Sequence, residues 1–96
     1  MQTITCGNLE IVFKESNFED HVNSLIRSGN DWINYPAGTP SSYRYKWSGF
    51  WKTKTALKSF FKKLLQIVQQ ANNSLWSKPW GQQRATQRIE HLLMEV

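Results

Sequence analysis

From Thr53 to Asn73 the chain reads TKTALKSFFKKLLQIVQQANN, and this stretch decides the fold. Leu57, Phe60, Phe61, Leu64, Leu65, Val68 and Ala71 recur at i, i+3, i+4, i+7, i+8, i+11 and i+14, one continuous apolar stripe along an α-helix. Thr53 or Thr55 can cap its start, and Asn72-Asn73 marks its end. Lys54, Lys58 and Lys62 form a second row beside the stripe, with Lys63 and Gln66 on the far face. Burial stabilises by ~1.5–3 kcal/mol for each large apolar side chain, so such a stripe can organise a small fold.

The segments on either side have their own periodicities. Beyond Asn73, Leu75-Trp76-Ser77-Lys78-Pro79-Trp80-Gly81 is a Trp-rich connector. A last helix follows with Ala85, Ile89, Leu92, Leu93 and Val96 as its apolar face and Arg84, Arg88, His91 and Glu95 along its flank. Before Thr53, Tyr43-Arg44-Tyr45-Lys46-Trp47 alternates aromatic and basic residues, the pattern of a strand with its three aromatics on one face. Asp31-Trp32-Ile33-Asn34-Tyr35 reads as a short strand on β-propensity, and Pro36 to Ser42 as a loop. Ser16-Asn17-Phe18-Glu19 is a capping-box pattern opening a helix over 17–28, with Phe18, Val22, Leu25 and Ile26 as its stripe and Gly29-Asn30 as its stop. At the start, Thr3-Ile4-Thr5-Cys6 and Leu9-Glu10-Ile11-Val12-Phe13 flank Gly7-Asn8, a hairpin with a two-residue turn.

These elements predict a single α+β domain over residues 1–96. Its order is ββαββαα, a small antiparallel sheet of about four strands packed on one face by two or three helices. No internal repeat or coiled-coil heptad is present. With 40% hydrophobic and 14% aromatic residues, five of them Trp, the composition is that of a packed globule rather than a disordered chain. Cys6 is the only cysteine, which excludes an intramolecular disulfide. The first residues lack the pattern of a secretory signal, and no apolar run approaches the ~20 residues of a membrane helix. The expectation is a cytoplasmic protein with no membrane partner; Asn72-Asn73-Ser74 then matches the glycosylation sequon by chance.

Charge is distributed unevenly. The net charge is +5 and the isoelectric point about 9.6. Residues 1–31 hold Glu10, Glu15, Glu19, Asp20 and Asp31 against only Lys14 and Arg27. From Trp32 to Ile89 there is no acid, while Arg44, Lys46, Lys52, Lys54, Lys58, Lys62, Lys63, Lys78, Arg84 and Arg88 are all basic. Segregation of this kind raises self-repulsion unless the groups face water or an anion.

Catalytic patterns are sparse. One Cys and two His, His21 and His91 on separate helices, do not make a zinc motif, and no metal is expected. Cys6 at a strand end has no sequence feature that would favour its thiolate, so it reads as a small apolar residue. The glycines are scattered singly, so there is no phosphate loop, and the carboxylates fall at positions expected to face solvent. The reading is a non-catalytic binding module without a cofactor.

Two partners fit that module. The first is nucleic acid, held by Arg44, Lys46, Lys52, Lys54, Lys58 and Lys62 with Arg84 and Arg88 as extensions, and with aromatics such as Trp51 as stacking platforms. The second is an acidic protein docked through Trp76 and Trp80, which bracket Lys78-Pro79, together with the bases. Each feature also has a structural reading. The strand aromatics can be its inner face, the lysine row a solvated helix face, and both Trp a lid over the core. The open edge of a small sheet also allows self-association. Over eight residues, Gly49-Phe50-Trp51-Lys52-Thr53-Lys54-Thr55-Ala56 is similar to the strand-to-helix junction of DNA-binding arm domains in tyrosine recombinases, commonly Gly-Phe-x-Thr-Lys-x-x-Ala. Here the gap from Phe50 to Thr53 is one residue longer and that from Lys54 to Ala56 one shorter, so no family is assigned.

Overall fold

In the computed structural model, residues 2–6, 9–34 and 54–96 are described. Strands β1 (Gln2–Cys6) and β2 (Leu9–Phe13) pair antiparallel, with Thr3 opposite Val12 and Ile4 opposite Ile11. The period of two turns Ile4, Ile11 and Phe13 inward and leaves Thr3, Thr5 and Glu10 exposed. The expected hairpin is therefore present, although its Gly7-Asn8 turn lies outside the described residues.

Helix α1 (Phe18–Asn34) is entered through a 3-10 turn, Glu15–Asn17, in which Asn17 Oδ1 accepts the Lys14 backbone N–H at 3.2 Å. The expected Ser16–Glu19 capping box is not used, because the Glu19 carboxylate is engaged by Ser77 across the fold. Helix α1 also runs through Gly29-Asn30 instead of stopping there, and Asp31–Asn34, expected in a strand, form its last turn. The reason is tertiary. Val22, Leu25, Ile26, Gly29, Trp32 and Ile33 form one continuing stripe, and burial of that stripe outweighs the β-propensity of Trp and Ile. Gly29 lies on the stripe as a contact point: a Cβ there would overlap the edge of the buried Phe61 ring.

Helix α2 (Lys54–Gln70) follows the stripe that organises the sequence, with Leu57, Phe60, Phe61, Leu64 and Val68 buried; Ile67, which the stripe omits, is buried as well, and Leu65 only partly. It packs against β1, α1 and helix α3 (Gly81–Glu95). The end of α2 is closed by the connector and by α3. Asn72 Oδ1 accepts from Ser74 N, opening the 3-10 turn Asn73–Leu75, and Gln82 Nε2 donates towards the carbonyls of Val68, Gln69 and Ala71 at 2.9, 3.2 and 3.2 Å. Helix α3 buries Ala85, Ile89 and Leu92, and Leu93 and Val96 pack against the core at its edge.

The architecture is thus α+β but mostly helical: a two-stranded antiparallel sheet and three helices among the described residues. The four-strand, ββαββαα arrangement is corrected at its third strand, since 31–34 are helical. The strand expected at 43–47 lies outside the described residues. No helix among the described residues is long and apolar enough to cross a membrane.

Gly29→Ala tests the contact between α1 and α2. Its helical backbone favours Ala by about 1 kcal/mol, but overpacking against Phe61 costs about 1–3 kcal/mol, so the variant is expected to be less stable or at best neutral. In a Phe61→Leu background, denaturant unfolding is expected to return a smaller penalty for the same change; equal penalties in both backgrounds would remove the ring contact as the cause.

Candidate anion-binding surface

Lys54, Lys58 and Lys62 are exposed along one flank of α2. Lys63, on the opposite flank, donates from Nζ to the Thr5 carbonyl at 3.0 Å and so ties α2 to the end of β1. Arg44, Lys46, Lys52 and Trp51 lie outside the described residues, as does the recombinase-like junction up to Thr53.

Arg84 and Arg88 come together with a residue that the sequence reading left in the acidic third of the chain. Arg27, on α1, lines with them a concavity of about 280 Å³ between α1, the connector and α3. Helix periodicity explains the convergence. Glu19, Asn23 and Arg27 repeat at i, i+4 and i+8 on one face of α1, while Arg84 and Arg88 are i, i+4 on α3. Arg27 and Arg84 are exposed and Arg88 is half-buried, its Nη1 donating to Asn23 Oδ1 at 3.4 Å. A second concavity, of about 410 Å³, continues along the same two helices past Asn30 and His91, again lined by Arg84 and Arg88.

No carboxylate forms an ion pair with this cluster, although Glu19 lines the same concavity. All seven acidic side chains of the protein lie among the described residues. The one ion pair among the described residues is His91 Nε2 to Glu95 Oε1, 2.9 Å, and no described lysine or arginine has a carboxylate within ion-pair distance. Glu19 lines the connector end of the concavity, but its Oε2 accepts from Ser77 N at 3.0 Å and its Oε1 from Ser77 Oγ at 2.7 Å. Burial, followed by the like charges of Arg84 and then Arg27, pushes the Arg88 guanidinium below its usual range. The like charges of Arg84 and Arg27 thus act on Arg88 across the concavity.

The two connector tryptophans differ in burial. Trp76 is buried, edge-on to Phe18 at 5.4 Å, and closes the end of the core; its Nε1 has no hydrogen-bond partner among the described residues. Trp80 is 52% exposed, and the Arg84 guanidinium carbon lies 5.5 Å from its ring centroid, a cation–π stack within one helical turn. Gly81 lets α3 begin close against Glu19 and Trp76, since a Cβ there would sit 3.3 Å from both. His21 packs on Phe13, ring centroids 5.0 Å apart. Among the described residues no three His, Cys, Asp or Glu side chains are gathered as for a metal.

The arrangement gathers three guanidiniums, none in an ion pair with a carboxylate, beside an exposed aromatic ring in a concavity between α1 and α3. No family model, curated protein or solved structure matches this chain.

Glu19 is the fastener of the connector. Glu19→Ala leaves the Ser77 N–H and hydroxyl without their acceptor and is expected to lower stability by about 1–3 kcal/mol, with Gln in its place costing less because one acceptor oxygen remains. Equilibrium unfolding of both variants checks this, and identical losses would deny the hydrogen bonds their role.

Proposed function

We propose that this protein is a non-catalytic binding module whose cationic surface holds nucleic acid. One observation carries the reading: among the described residues no lysine or arginine is neutralised by a carboxylate, although every acid in the chain is in view. Phosphate neutralisation by such groups is the main affinity term for nucleic acids. The lysine row Lys54, Lys58 and Lys62 and the cluster Arg27, Arg84 and Arg88 supply it from α2 and from the α1–α3 concavity. Arg44, Lys46 and Lys52 extend the cationic segment in sequence. Trp80 supplies an aromatic face beside the arginines, as Trp51 would if it joins them. The cytosol, where a lone Cys6 stays reduced, is the compartment that suits this role.

A second reading, docking on an acidic protein, is favoured by the exposure of Trp80 itself, because Trp beside Arg is a frequent energetic centre of protein interfaces. It differs in its dependence on salt, which is weaker for an interface centred on an aromatic ring.

Titration of a labelled oligonucleotide at several salt concentrations distinguishes the two. Affinity is expected to fall with a log–log slope of about −0.7 to −0.9 for every phosphate neutralised. Lys54→Glu and Lys58→Glu together should weaken binding while changing stability by no more than about 0.5 kcal/mol each. Binding that is indifferent to salt and to both reversals would overturn the nucleic-acid reading, and loss on Trp80→Ala with little salt dependence would favour the acidic protein.

A further inference from the structure

We propose that the concavity between α1 and α3, where Arg27, Arg84 and Arg88 meet beside Trp80, is a subsite for one phosphate and one unpaired base of single-stranded nucleic acid. The inference rests on the nucleic-acid reading and adds to it the strand class and the residues that select it.

The geometry contains both halves of such a site. Guanidinium forks match phosphate oxygens bidentately, and three of them line the concavity here, with Arg88 held on Asn23. The repulsion that Arg84 and Arg27 exert on Arg88 is relieved when an anion sits among them. Glu19 does not occupy that position. It lies eight residues from Arg27, about 12 Å along the helix axis, and both its oxygens are taken by Ser77. Glu19 is therefore set back from Arg27, at the connector end of the concavity beside Gly81.

Trp80 decides the strand class. Trp80 is 52% exposed and its ring already lies against the Arg84 guanidinium, so a flat, charge-bearing platform stands next to the proposed phosphate position. A base can stack there only when it is free of its own helix, which a duplex prevents and a single strand allows. A concavity of about 280 Å³ admits a unit of nucleotide size, whereas a duplex offers its phosphates on a convex surface. An acidic peptide would satisfy the arginines but leave the aromatic platform without a planar partner.

The test measures fluorescence anisotropy of a labelled oligo-thymidylate and of a duplex of the same length, using the full chain and variants whose thermal melting matches the wild type. The single strand is expected to bind more tightly than the duplex. Trp80→Ala should weaken the single strand about tenfold at an unchanged salt slope, with Trp80→Phe retaining most of the affinity. Arg27→Ala, at an exposed position that avoids refolding effects, and Arg88→Ala should weaken it and reduce the salt slope by about one phosphate. If oligo-thymidylate binds but all three alanine variants match the wild type, the subsite is overturned while the nucleic-acid reading stands. Equal affinity for duplex and single strand would overturn the stacking role of Trp80. Displacement of the strand by polyglutamate at equal charge concentration would assign the concavity to an acidic protein, and no binding to either oligonucleotide would overturn both readings.

Discussion

The edge of the Phe61 ring rests against α1 at Gly29, where that helix has no side chain to hold it off. Leu92 of α3 comes to the same point, its Cδ1 3.6 Å from where a Cβ would be. Three helices thus meet at one glycine. Because interiors pack at crystal-like density, a methyl there forces the Phe61 ring or a helix to shift. The arginine-lined concavity occupies the space between two of these helices, α1 and α3.

The connector fastens the other end. Ser77 donates twice to Glu19, Trp76 covers Phe18, and Gln82 reaches back to the last carbonyls of α2. Each contact satisfies a group that a helix end or a loop would otherwise leave to water. Together they hold Trp80 at the rim in a fixed relation to Arg84. A residue on a short tethered loop can present an aromatic face with little ordering left to do on binding.

Electrostatics gives this scaffold its direction. An acidic first third and a basic remainder would be expected to pair across the fold, yet the carboxylates and the lysines and arginines stay apart among the described residues. Glu19 is spent on hydrogen bonds, and Glu95 pairs with His91 on its own helix. Arg27 leaves the acidic segment to join Arg84 and Arg88. The cost of gathering like charges is borne by the packing of α1, α2 and α3.

The hairpin, the three amphipathic segments and the segregation of charge follow from the sequence by itself, because periods of 2 and 3.6 state which face of each element is buried. The stripe from Leu57 to Ala71, the alternation of β2 and the inner face of α3 were all readable for that reason. The i, i+4, i+8 spacing of Glu19, Asn23 and Arg27 was visible too, but its meaning was not. Local patterns are silent about which face meets which partner across 58 residues, as Glu19 meets Ser77. Only the tertiary structure turned Gly29 from a helix stop into a contact point, buried Trp76 while exposing Trp80, and brought Arg27 beside Arg84 and Arg88. Those outcomes depend on how closely two helices can approach, and that distance is a property of the packed core rather than of any one segment.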